Sequence, residues 1–174
     1  MINKENKPNI IIIFADDLGY GDLGCYGSKI NETPTLDRMA NEGKKFSNFY
    51  VSSPVCSPSR ASLLTGCYPQ RISFGTFDGL RVLFPGQGIG LSTEEKTIAK
   101  TLKESGYSTK IIGKWHCGDQ KDFLPTNHGF DSYFGIPYSN DMGRQVKPKD
   151  YNPNDSSLRK VTEWDRPPLP LIRD

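Results

Sequence analysis

Five consecutive apolar residues, Ile10-Ile11-Ile12-Ile13-Phe14, run directly into Ala15, Asp16 and Asp17. A continuous β-branched run of this kind reads as a strand buried on both faces, as in a parallel sheet covered by helices. The segment Pro8–Ala15 is therefore predicted to be a central strand, with Asp16 and Asp17 at its C-terminal end. Ligand sites of open α/β sheets gather at that edge. On a regular strand, adjacent residues point to opposite faces. The chain must therefore leave the strand at Asp16-Asp17 if both carboxylates are to serve one site. Leu18–Gly27 holds four glycines and is predicted to be a loop.

The next elements keep to the same pattern. Thr33-Pro34 opens a predicted helix that Gly43 closes, with Thr33 as cap and Leu36, Met39 and Ala40 as its inner stripe. Phe46–Val51 is predicted as a strand leading to Cys56. Ser57 is a plausible N-cap, Pro58 suits a first helical turn and Gly66 a helix stop. Ser92-Thr93-Glu94-Glu95 has the form of a capping box opening a helix through Ser105. Ser108–Ile112 is a further strand, with Lys114-Trp115-His116 just past its end. Strand, helix, strand, helix, helix, strand argues for a layered α/β fold.

Composition narrows the function classes. Lysine and arginine exceed the acidic residues only by a net +2, and no dense basic run is present, so a nucleic-acid partner is not expected. Ile10–Phe14 is too short for a membrane span or the core of an export signal. Cys25, Cys56, Cys67 and Cys117 show neither paired metal spacing nor a disulfide framework.

The chemistry concentrates at Cys56. A thiol at the mouth of a helix meets free N–H groups and a positive dipole end that favour an anion, and Arg60 reaches back towards the same turn. Taken alone, Cys56 reads better as a buried structural thiol, Arg60 as a common surface ion pair and Asp16-Asp17 as a solvated turn. Lys114 and His116 alone read as an exposed lysine and a hydrogen-bonded structural histidine.

The run Cys56-Ser57-Pro58-Ser59-Arg60-Ala61-Ser62-Leu63-Leu64-Thr65-Gly66 resembles the signature of the type I, formylglycine-dependent sulfatases. Phe14-Ala15-Asp16-Asp17-Leu18-Gly19-Tyr20-Gly21-Asp22 resembles that family's metal strand, and Lys114-Trp115-His116 its K-x-H block. The later Tyr138–Gly143 run is similar to a loop of the arylsulfatase A and galactosamine-6-sulfatase branch. The family usually continues Leu-Thr-Gly-Arg, whereas this chain has Cys67 in place of the arginine.

The resemblance implies an alkaline-phosphatase-like α/β/α sandwich with a mostly parallel central sheet, incomplete in this chain. It implies that 1–174 is the N-terminal part of a catalytic domain, with core motifs in 8–143 and a loop-rich excursion in 144–174. It implies hydrolysis of an aryl or carbohydrate sulfate ester. Cys56 becomes formylglycine, whose hydrate attacks sulfur with one hydroxyl and releases sulfate with the other. A maturing, formylglycine-generating enzyme is then a required partner. Arg60 orients the hydrate, Lys114 binds sulfate and His116 contacts residue 56. Asp16, Asp17 and residue 56 hold one divalent cation. Ca2+, with its about six to eight oxygens, is the best match. The remaining ligands are expected downstream, so the 174 residues alone are expected to be inactive. His128 is assigned a structural role. Family members are usually periplasmic, secreted or lysosomal, and no export signal is expected in this stretch. Two alternatives remain: a phosphonate monoester hydrolase or phosphodiesterase of the same superfamily, and a non-catalytic glycan-binding relative with Cys56 unmodified.

Overall fold

The structure is a computed structural model that describes residues 7–77, 79–143 and 169–174. Of the predicted excursion over 144–174, only 169–174 lie among the described residues. The chain divides into two compact units, Met1–Tyr50 and Val51–Asp174.

In the first unit, two short 3-10 turns, Tyr20–Asp22 and Gly24–Tyr26, precede helix α1, Pro34–Glu42. Thr33 is the N-cap, Pro34 starts the helix and Gly43 ends it, as the sequence predicts. The Thr33 hydroxyl does not cap, however. It accepts the Gly24 N–H at 2.8 Å and donates to Asp37 Oδ1 at 2.9 Å, while the same carboxylate oxygen accepts the Cys25 N–H at 2.6 Å. A side chain at Gly24 would place its first carbon 2.5 Å from Asp37 Oδ2, so the loop needs glycine to lie this close to the helix. The Tyr20 hydroxyl closes the unit by donating to the Phe49 carbonyl and accepting its N–H.

Three expectations for this unit need correction. Residues 10–14 are not paired in a sheet among the described residues, and Ile11 and Ile13 are 83% and 78% exposed. Phe46–Val51 forms no strand, with Phe46, Phe49 and Tyr50 exposed. The predicted inner stripe of α1 is not buried either, as Leu36 and Met39 are exposed. The physical reason is common to all three. Periodicity records which face a segment will bury, but burial requires a neighbouring layer, and none of the described residues supplies one here.

The second unit carries the core. Helix α2, Cys56–Thr65, and helix α3, Ile98–Glu104, flank a sheet of β1, Lys110–Lys114, β2, Ser132–Ile136, and β3, Ile172–Arg173, in the order β1-β2-β3. β1 and β2 run parallel, with Lys110 opposite Ser132 and Lys114 opposite Ile136, and β3 pairs antiparallel to β2. A parallel pair requires a long crossover, and here it is built from two 3-10 turns, Lys121–Phe123 and Pro125–His128. Ala61, Leu64, Phe74, Leu83, Leu91, Trp115 and Tyr133 form the buried cluster between helix and sheet.

Helix α3 begins later than the Ser92 capping box predicts. Thr97 is the N-cap, its hydroxyl accepting the Lys100 N–H at 3.2 Å and donating to the His128 carbonyl at 2.5 Å. A buried hydroxyl with two partners prevails over an exposed serine, whose side chain accepts only from Glu94. β2 was not anticipated, because Ser132-Tyr133-Phe134-Gly135-Ile136 interrupts its apolar residues with glycine. That glycine is required: a carbon on Gly135 would fall 1.9 Å from the Gly113 carbonyl oxygen.

Candidate active site

The site forms where the start of α2 meets the end of β1. Cys56 is the first residue of α2, with Val55 as N-cap, so Ser57 lies inside the helix and not at its cap. Pro58 sits in the first turn, where the missing N–H leaves no bond unmade. Gly66 ends the helix in the left-handed conformation, φ 70°, as predicted. Ser57, Pro58 and Ser59 are buried while Cys56 stays half-buried. The helix thus seats its first turn in the core and leaves the thiol accessible.

Lys114, the last residue of β1, extends its ammonium to Cys56, Nζ to Sγ 3.2 Å. Arg60, one turn along α2, donates from Nη1 to the Lys114 carbonyl at 2.8 Å. Helix and strand are therefore tied by two contacts, one at each end of a single lysine. Arg60 also stands close enough to Cys117 for its charge to act on that thiol. Burial pushes the Cys117 thiol well up and Arg60 opposes it, so Cys117 is a protonated, inert core residue.

His116 departs from the extended geometry expected of a Lys-x-His segment. Its φ is 59°, so the chain turns into the left-handed region immediately after β1. Its N–H donates to the Pro137 carbonyl at 2.9 Å, and its Nε2 lies 2.9 Å from the Leu83 carbonyl oxygen. The ring is fully buried, edge-on to Tyr138 at 5.4 Å. Burial, with the Asp119 charge adding to it, pushes the Tyr138 hydroxyl up, so it stays protonated. Tyr138 and Asp119 also border a cavity of about 540 Å3 whose other walls include Phe84, Pro85, Met142 and Leu169.

His128 is fully buried against Trp115, ring centroids 5.5 Å apart. Burial, then the nearby Lys100 charge, lowers its pKa to about 4.

Asp16 and Asp17 belong to the first unit. Asp17 has φ 57°, so the chain does leave the extended conformation at this pair. The two carboxylates are hard oxygen donors suited to a cation such as Ca2+, yet they fill only part of its shell. Among the described residues, no group of three or more His, Cys, Asp or Glu side chains gathers at metal-binding distance.

The structure thus brings Cys56, Arg60 and Lys114 into one cluster. His116 is linked to the start of α2 through the main chain of Leu83, whose N–H donates to Ser57 and whose carbonyl oxygen faces His116 Nε2. Sequence reasoning missed the parts played by Ser57 and Leu83. A contact through backbone atoms leaves no trace in residue type, and Ser57 resembled an ordinary cap.

The sulfatase family model matches residues 8–167. The chain belongs to the sulfatase family. It is 51% identical over 138 residues to human arylsulfatase A, an alignment covering 78% of this chain and 26% of that protein. It is 43% identical over 170 residues to human N-acetylgalactosamine-6-sulfatase, covering 96% and 29%. Among solved structures, Ps i-CgsB in complex with k-i-k-neocarrahexaose superposes with a TM-score of 0.76 at 38% identity, covering 97% of this chain and 36% of that one. The alkaline-phosphatase-like fold expected from the sequence is the fold of these sulfatases, and the small mixed sheet with its helices is part of it. The chain spans between a quarter and a third of the length of these curated relatives. No helix among the described residues is long and apolar enough to cross a membrane.

Proposed function

We propose that this chain carries the nucleophile-bearing part of a sulfuric ester hydrolase acting on an aryl or carbohydrate sulfate. The observation that carries the reading is the Lys114 ammonium 3.2 Å from the side chain of residue 56, at a helix start, in a sulfatase-family chain.

In this reading a maturing enzyme converts Cys56 to formylglycine, which supplies an electrophilic carbon that water turns into a two-hydroxyl nucleophile. Asp16 and Asp17 would contribute carboxylate ligands to a divalent cation, which would supply charge neutralisation and orientation of a sulfate oxygen. The remaining work falls to this chain's own side chains. Lys114 offers a compact positive charge to a tetrahedral anion, and the positive dipole end at the start of α2 adds to it. Arg60 holds the Lys114 carbonyl and so sets where that charge sits. His116 serves residue 56 as a proton acceptor. The apolar cavity beside Tyr138 suits the uncharged ring of the ester, with the Asp119 carboxylate for its hydroxyl groups. The names of the relatives, an arylsulfatase and a sugar sulfatase, support that substrate class.

The test has two parts. Co-expression with a sulfatase-maturing enzyme should give an aldehyde at residue 56, read by intact mass and hydrazide capture and absent in Cys56→Ala. The matured full-length gene product should then release sulfate from an aryl sulfate faster than it cleaves the matching aryl phosphonate. A persistent thiol at residue 56 refutes the nucleophile. Preference for the phosphonate moves the protein to the phosphonate monoester hydrolases.

A further inference from the structure

The main chain of Leu83 lies between α2 and His116 and bonds to both, through the two successive peptide groups that flank its α-carbon. Its N–H donates to Ser57 Oγ at 3.0 Å, and its carbonyl oxygen lies 2.9 Å from His116 Nε2. Ser57, Leu83 and His116 are all fully buried. A carbonyl oxygen can only accept, so the imidazole must present Nε2–H to it. A neutral imidazole bears one proton, which makes Nδ1 the nitrogen with the lone pair.

We propose that Ser57 and the main chain of Leu83 are positioning groups that lock His116 in the Nε2–H tautomer and leave Nδ1 as its proton-accepting atom. The assignment builds on the proposed function, in which His116 serves residue 56, and extends it to residues that neither touch substrate nor titrate. Ser57 follows the nucleophile position directly, so one turn of α2 carries both the reacting residue and the anchor that orients its partner. The carbonyl's own peptide group is held by the Phe84 N–H, which donates to Gln87 Oε1 at 2.7 Å, while Ser57 holds the preceding peptide group, so both sides of the Leu83 α-carbon are pinned. If the Leu83 N–H lost Ser57 Oγ in this dry setting, the Val82–Leu83 peptide group would have to rotate to seek another acceptor. That rotation changes the backbone angle at Leu83 and displaces its carbonyl from Nε2. Three other constraints hold the ring while leaving its tautomer open: its backbone bond to Pro137, the left-handed turn at residue 116 and the edge of Tyr138.

The chain contains only two histidines, His116 and His128, so ring 15N signals can be assigned by substitution. Long-range 1H–15N correlation at pH 8, on the protein labelled in histidine, should show His116 as a single Nε2–H tautomer. Ser57→Ala should convert this to averaged signals of two tautomers, and Ser57→Thr, which keeps the hydroxyl, should restore the wild-type pattern. His128 should be unchanged throughout and serves as the check that the fold persists. A wild-type His116 in the Nδ1–H form overturns the proposal, whatever the variants do. So does a folded Ser57→Ala protein with wild-type His116 signals. If Ser57→Ala does not fold, the wild-type tautomer decides. The ring signals do not depend on turnover. A matured full-length protein that shows the expected tautomer but releases no sulfate removes the hydrolase reading and leaves the lock in place.

Discussion

Burying His128 as a neutral ring ties the stability of the second unit to pH. The imidazole's pKa falls from its ordinary 6.5 to about 4, through burial first and the Lys100 charge second. A base whose folded pKa is depressed is protonated more readily in the unfolded chain. Its neutral burial therefore costs nothing above pH 6.5, and stability drains away as pH falls from 6.5 towards 4. The linkage relation puts the loss at about 2 kcal/mol at pH 5 and about 3 kcal/mol at pH 4. Asp131, held down first by its hydrogen bond from Lys103, also loses stabilisation in acid, but below its ordinary 3.8 and so beneath this window. The perturbation is His128→Phe, which keeps a ring against Trp115 and removes the titration. Urea unfolding of both proteins at pH 7, 6, 5 and 4.5 gives two stability curves. Their difference isolates His128, because every other group is common to both. The wild type should lose about 2 kcal/mol more than the variant between pH 7 and pH 5. A pH-independent difference would refute the reasoning, as would a wild type that gains on acidification relative to the variant.

Lys114→Ala should lower sulfate release by the matured full-length gene product about 100-fold or more in kcat, as for loss of one preorganised charge contact; an unchanged kcat would remove Lys114 from the site. Gly135→Ala must push β2 off the Gly113 carbonyl, and a loss of more than about 3 kcal/mol, or failure to fold, is expected in urea titration. Thr97→Ala removes both the α3 cap and a buried bond to the His128 carbonyl; the expected cost is about 2 kcal/mol, and a loss under about 0.5 kcal/mol would contradict the double role. Calorimetry of the 174-residue polypeptide with Ca2+ should show weak or no binding, because Asp16 and Asp17 complete only part of a shell, and the same polypeptide should show no turnover.

Local features were more legible in the sequence than burial. Arg60 stands one turn from Cys56 as their spacing implies, because a helix start is a local feature that a short run encodes, whereas the approach of Lys114 to Cys56 follows only from the family resemblance. The Thr33-Pro34 entry and the Gly43 and Gly66 stops were readable for the same reason. Burial was not. Ile10–Phe14 has the composition of an interior strand, yet whether it lies inside depends on neighbours that its own residues do not specify. β2 escaped notice because Gly135 depresses strand propensity while being the one residue that fits against Gly113. The left-handed turn at His116 was equally hidden, since no pattern marks a non-glycine residue that tertiary contacts force there.

At Gly113 and Gly135, β1 and β2 meet as naked main chain, one position before Lys114. The reach of that ammonium is thus calibrated by peptide thickness, a dimension that substitution can spoil but not retune. Phe84 and Met142 meet the neighbouring cavity as side chains and so can vary in size where the strand pair cannot.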